Sequence, residues 1–157
     1  MQTTIGIKAS STSSISKQLS QVLADEFVIY TKTLNAHWNV EGADFHSKHV
    51  FFEAQYNQLG GICDDVAERI RSLGHYAPAT LNSFLALTHL TEKNQGANDS
   101  ISFIQNLLED HVAIIEFLRS SINEFADSYK DAGSSDFITG LMEKHEKMAW
   151  MLRAHLG

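Results

Sequence analysis

Apolar residues recur at intervals of three and four along most of the chain, and nowhere alternate with polar ones over a convincing strand length. Positions three or four apart share one helix face, so this period predicts amphipathic helices. The first reads from about Ser13 or Ser14 to Asn39, with Leu19, Val22, Leu23, Phe27, Tyr30 and Leu34 on one stripe. Glu41-Gly42 breaks it. Asp44 is placed to N-cap a second helix that runs to about Leu73 and stops at Gly74, with Phe52, Tyr56, Leu59, Cys63, Val66 and Ile70 facing inward. Gly60-Gly61 within it marks a close helix crossing or a tolerated pair, at about 1 kcal/mol each relative to alanine. Residues 75–97 read as a long connection around Pro78, with a short helix over residues 84–87. Asn98 or Asp99 caps a third long helix whose core face is Ile101, Ile104, Leu108, Ile115, Leu118, Ile122 and Phe125. The last helix starts after Gly133, capped by Ser134 or Ser135, and runs almost to the final residue.

Four long helices without a strand predict an all-α four-helix bundle, with a short extra helix in the connection between helices two and three. A flexible arm over residues 1–13 is expected to precede one bundle domain over residues 14–157. The length of 157 residues supports one core and not two. The single proline agrees with long helix interiors. The single cysteine, Cys63, has no partner for an intramolecular disulfide; it reads as a small buried side chain in a reducing compartment. No run reaches the roughly 20 apolar residues that span a bilayer, and the first residues lack a signal-peptide core. The expectation is a cytoplasmic protein with no membrane partner.

A net charge of −7 opposes nonspecific binding to phosphates. Residues 1–24 carry Lys8 and Lys17 and no acid, so the N-terminus is mildly basic and rich in Ser and Thr. That composition reads as a solvated tail ahead of a nucleic-acid arm.

The candidate chemistry lies between His37 and Gly74. His49 and Glu53 are four apart on the second helix, and so are Asp64 and Glu68. Each pair can close on one ion, but the two pairs cannot share it within a chain. Asp64 lies fifteen residues beyond His49, roughly 22 Å along a helix axis, whereas metal–ligand bonds are about 2 Å long. His37 and His49 are symmetric about Ala43, so an antiparallel hairpin sets them side by side and makes a three-ligand cluster with Glu53. A second copy related by a twofold axis would bring its Asp64 and Glu68 against this cluster, and such an isologous contact makes two sites at once. Two imidazoles and three carboxylates suit iron, manganese or zinc, and an open carboxylate-rich site suits redox iron better than structural zinc. The bland alternative is a set of solvated helix positions, with Arg69 or Arg71 as ion-pair partners. Asp64 and Glu68 then repel by a few tenths of a kcal/mol. Of the other histidines, His46 lies off the ligand ladder and His145 shares a stripe with Leu141, Met148 and Leu152, as a packed residue would. His75, His89, His111 and His155 have no acid at ligand spacing.

Several segments resemble Dps, the mini-ferritins named as DNA-binding proteins from starved cells. They are His37-Trp38-Asn39, Asp44-Phe45-His46-Ser47-Lys48-His49, Asp65-Val66-Ala67-Glu68-Arg69-Ile70, and the C-terminal His145-Glu146-Lys147-Met148-Ala149-Trp150-Met151-Leu152-Arg153. The resemblance covers roughly residues 14–156. It implies a ferritin-like bundle assembled as a hollow homo-dodecamer, with ferroxidase centres at its twofold interfaces. Carried over by position, the iron ligands are His37, His49 and Glu53 of one subunit with Asp64 and Glu68 of its partner. The implied function is oxidation of Fe²⁺, preferably by hydrogen peroxide, with storage of ferric iron and protection of DNA. Glu53 stands where many members have aspartate, which bears on the second iron. Trp38 resembles a family tryptophan that intercepts stray oxidising equivalents. Asp136, in Gly133-Ser134-Ser135-Asp136-Phe137, resembles the lining of the threefold iron-entry pores, with Asp131 the second candidate. The chain has no E-x-x-H motif, which argues against a di-iron centre inside its own bundle. The rival readings are a nucleoid-compacting DNA binder that uses the N-terminal arm, expected to be weak or absent with so few lysines, and a metal-independent helical scaffold.

Overall fold

The structure, a computed structural model, describes residues 5–157. Four long helices form two hairpins: α1 (Ala9–Asn39) packs along α2 (Phe45–Ser72), and α4 (Ser100–Asn123) along α5 (Ala132–Arg153). The short α3 (Leu81–Leu87) lies in the connection between the hairpins and rests on α1. Between α4 and α5 the chain widens into one π-helical turn, Glu124–Ser128, before Lys130 takes a positive φ of 58° and reverses it. The all-helical expectation therefore holds, including the extra helix in the long connection.

The ends of the helices differ from the sequence reading in two places. The first helix begins at Ala9, so residues 9–13 belong to the bundle and not to the arm; residues 1–4 of that expected arm lie outside the described residues. The extra turn is held from outside, because the buried Thr12 pairs its hydroxyl with His75 Nε2 at 3.1 Å. At the other end, α5 is capped by Asp131 and not by Ser134 or Ser135. The Asp131 carboxylate accepts from Ser134 N at 3.0 Å and from the Ser134 hydroxyl, and Arg69 reaches it from α2 at 3.4 Å. Both serines are then buried inside the first turns of the helix. Other stops follow the sequence: Asp99 caps α4 through Ser102 N at 2.9 Å, and Gly74 ends α2 with φ +87°, where a side chain would be strained.

The core runs the length of both hairpins, from Ile15 and Leu19 through Ile29 and Phe52 to Ile104, Leu118, Leu141 and Leu152. On α2 the innermost positions are Phe52, Gln55, Leu59, Ile62, Val66 and Ile70, while Tyr56 and Cys63 sit half-buried at the edge. On α4 the core takes Phe103, Leu107 and Ile114, while Ile101 is exposed and Leu108, Ile115 and Ile122 are half-buried. Adjacent helix positions are about 100° apart, so a period locates a stripe only to within one residue at its margins. Gly60 and Gly61 are tolerated within the chain: a methyl at 60 would make ordinary contact with Tyr30, and one at 61 would meet nothing within 4 Å.

Polar groups interrupt this core at mid-height. Glu26 on α1 accepts from His145 Nε2 on α5 at 2.8 Å, and His145 Nδ1 pairs with His111 Nδ1 on α4 at 2.9 Å; all three are fully buried. Beside them Lys32 and Asp110 form a buried ion pair between α1 and α4. Among the described residues no helix is long and apolar enough to cross a membrane.

Candidate metal centre

The reversal between α1 and α2 spans only residues 40–44, so the last turn of α1 lies against the first turn of α2. The last carbonyls of a helix have no intrahelical partner. His49 supplies one: its Nδ1–H donates to the His37 carbonyl at 2.8 Å. The converse bond is also present, from His37 Nδ1–H to the His49 carbonyl at 2.8 Å. The two rings stack with centroids 3.7 Å apart and planes at 21°. A carbonyl oxygen can only accept, so each Nδ1 must carry its proton, and each neutral ring keeps its lone pair on Nε2. This is the orientation a metal-binding imidazole requires, with the second nitrogen anchored to backbone oxygen.

The remaining candidates lie on the outer side of α2. Glu53 is exposed one turn beyond His49, and Asp64 and Glu68 are exposed three turns further on. Among the described residues no three such side chains converge closely enough to hold an ion. The expected cluster of His37, His49 and Glu53 is thus not closed within the isolated chain: the structure joins the two histidines and leaves Glu53 facing outward. Two half-sites stand on one helix, one rich in imidazole and one in carboxylate.

The ferritin-like domain family matches residues 16–157. A "DNA protection during starvation protein" of Helicobacter pylori is 33% identical over 141 residues, 88% of this chain and 95% of that protein. The chain belongs to the Dps family of ferritin-like proteins. An uncharacterized low-temperature-induced protein of Nostoc is 37% identical over 152 residues, 97% of this chain and 85% of that one. Among solved structures, the Dps protein of Vibrio cholerae, described as a ferritin-like diiron-carboxylate protein, superposes with a TM-score of 0.92 at 28% identity, covering 100% of this chain and 98% of that one.

In this Dps chain the other sequence candidates have distinct surroundings. Asp131 is buried and engaged as the α5 cap, which takes it out of the set of free carboxylates available to a pore wall. Asp136 is exposed one turn later and lines an open groove between α2 and α5 together with Asp65, Glu68, Arg69 and Lys144. Trp38 is 67% exposed beside the histidine pair. Cys63 is half-buried, and burial, then the charge of Glu26, pushes its thiol up to about 12, as expected of an inert core cysteine.

One neighbour of the site escaped the sequence reading, which had placed it in the core stripe. Tyr56 lies edge-on to His37 with ring centroids 5.1 Å apart, one helical turn beyond Glu53. Partial burial, the Glu53 charge and Tyr30 together raise its pKa. A residue seven after His49 and three after Glu53 shares their helix face, so the position was readable once those two were taken as ligands.

Proposed function

We propose that this Dps chain is a ferroxidase and iron-storage subunit that works at sites shared between two copies. The reciprocal bond between His37 and His49 carries the reading, because it presents two Nε2 lone pairs on a rigid hairpin while the complementary carboxylates lie too far away on the same helix. The ligand set is His37, His49 and Glu53 of one subunit with Asp64 and Glu68 of its twofold partner. Closure of twelve subunits into a hollow shell follows the family. Two Fe²⁺ ions are the substrate. They surrender two electrons to one hydrogen peroxide, which takes up two protons and leaves as two waters, so no hydroxyl radical escapes. Carboxylates favour the Fe³⁺ product by charge, and the imidazoles favour a transition metal over calcium or magnesium. DNA is protected by this chemistry without being bound. In support, α1 begins at Ala9, so Lys17 lies on the bundle and Lys8 is the one basic residue of the described arm.

Stopped-flow absorbance with each oxidant tests the reading: peroxide should oxidise site-bound Fe²⁺ faster than dioxygen at matched concentration. Faster oxidation by dioxygen would remove the peroxide preference, and no oxidation by either would remove the ferroxidase. Anomalous diffraction at the iron edge on soaked crystals should place iron between His37 and His49 of one chain and Asp64 and Glu68 of its neighbour.

Iron entry is assigned to Asp136. A ring of its carboxylates would concentrate Fe²⁺ through a field that salt weakens, and the groove it shares with Glu68 leads toward the carboxylate half-site. Asp136→Asn is expected to slow uptake at low ionic strength without altering the iron peaks in a soaked crystal. Unchanged uptake would return Asp136 to the role of an acid near a helix N-terminus.

A further inference from the structure

Three fully buried titratable side chains meet at mid-height, one from each of three helices: Glu26 of α1, His145 of α5 and His111 of α4. His145 Nε2–H donates to Glu26 Oε1 at 2.8 Å, and its Nδ1 lies 2.9 Å from His111 Nδ1. Two nitrogens at that distance are joined by a single proton, whichever ring carries it. Once each Nδ1 carries its own, two N–H groups point at each other and the link between α4 and α5 is lost. His111 is the weaker member of the pair. His145 stands between it and Glu26, so His145 meets a carboxylate and His111 meets another imidazole. Among the described residues nothing accepts at His111 Nε2 either, so an imidazolium formed there gains no bond. Burial, and then His145, accordingly hold the His111 pKa well below its ordinary 6.5.

The charged and titratable groups packed around the pair are Glu26, Asp25 and Lys32 from α1, Cys63 from α2, and Glu109 and Asp110 from α4. Asp25 is itself held by His89 of the connection between α3 and α4. Lys32 is the one cation in this set, and Asp110 neutralises it. Burial raises the Asp110 pKa against the pull of Lys32. The folded chain therefore accepts a proton at Asp110 more readily than the unfolded one, so this group opposes opening as pH falls and cannot stand in for His111.

We propose that the Glu26–His145–His111 chain is an acid-operated latch, closed while the two imidazoles share one proton and open once each holds its own. In the open state His145 stays with Glu26, and the middle of α4 parts from α5 far enough for the His111 imidazolium to reach water. One proton is taken up and no covalent bond changes. Acid thereby loosens the α4–α5 hairpin, while the α1–α2 hairpin and its His37–His49 pair keep their packing.

Amide hydrogen exchange of the native assembled protein tests this, read by mass spectrometry of peptides at pH 7, 6 and 5 and corrected for the intrinsic pH dependence of exchange. Between pH 6 and pH 5 the peptides around His111 and His145 are expected to open more, by up to about tenfold per pH unit, the slope of a one-proton event, while those of α1 and α2 change little. His111→Asn keeps an amide N–H for His145 Nδ1 and takes up no proton in this range, so its acceleration should vanish. An equal acid acceleration in His111→Asn protein of native size would overturn the latch. So would an acceleration in the native protein spread evenly over all four long helices, or none at all. The native pattern decides the matter even where the variant fails to assemble.

Discussion

A chain carrying His37→Ala and His49→Ala is expected to be almost inactive in peroxide-driven iron oxidation, and so is a chain carrying Asp64→Ala and Glu68→Ala, yet a mixture of the two should recover activity. In a twofold pair of unlike chains, one interface site combines the intact histidines of one with the intact carboxylates of the other, and the second site combines both defects. With random pairing of equal amounts, half the pairs are unlike and one site in two of those works, so about a quarter of all sites should return. The double variants are expected to fold. Asp64 and Glu68 are exposed, and losing their mutual repulsion is worth only a few tenths of a kcal/mol. The histidine variant loses two reciprocal bonds to backbone carbonyls at the hairpin end, about 1 kcal/mol each. Shells of native size formed from both chains, with initial rates measured per subunit, give the test. No recovery in well-mixed shells would mean that each site draws its ligands from a single chain.

The pairing of His37 with His49, and the place of Asp64 and Glu68 further along the same helix, were legible in the sequence, for a physical reason. The spacing of His49, Glu53, Asp64 and Glu68 is a property of one straight helix, and the symmetry of His37 and His49 about Ala43 is a property of one short reversal. Both are local, so residue numbers alone fix them. The reciprocal Nδ1–carbonyl bonds were not legible, because they depend on ring rotation and on which helix-terminal carbonyls lack partners. Helix existence followed from the period of Leu19, Val22, Leu23 and their successors. Helix ends did not always follow, since a tertiary contact decides them: Thr12 with His75 at the start of α1, and Arg69 with Asp131 at the start of α5. Least legible was the polar centre of the bundle. His111 has no acid at ligand spacing in its own helix because its partner, His145, comes from another, and Glu26 joins them from a third, 119 residues before His145.

This centre gives the largest expected effect on stability. Glu26, His145 and His111 are fully buried, and Glu26 Oε2 and His111 Nε2 have no hydrogen-bond partner. His145→Ala would remove the one group bonded to the Glu26 carboxylate and leave a buried charge without compensation, so it should destabilise by about 3–5 kcal/mol. Glu26→Gln combined with His145→Leu removes the charge as well as its partner and should cost much less than His145→Ala alone. A pH dependence accompanies it. Burial, and then the neighbouring His145, hold the His111 pKa well below its ordinary 6.5 in the folded protein. The folded state therefore refuses a proton that the unfolded chain accepts near pH 6.5, and stability must fall as pH drops below that value. The groups facing His111 include His145 from α5, which in turn meets Glu26 from α1; Glu26 also acts on Cys63 from α2, and the Lys32–Asp110 pair lies alongside. The contribution is complete above pH 6.5 and erodes by up to about 1.4 kcal/mol per pH unit below it, until the depressed folded pKa is reached. Thermal unfolding followed between pH 7 and pH 5 should show a steeper loss for the native chain than for His111→Leu, since the carboxylates common to both cancel in the comparison. Parallel profiles for the two proteins would show that His111 takes up its proton as readily when folded as when unfolded.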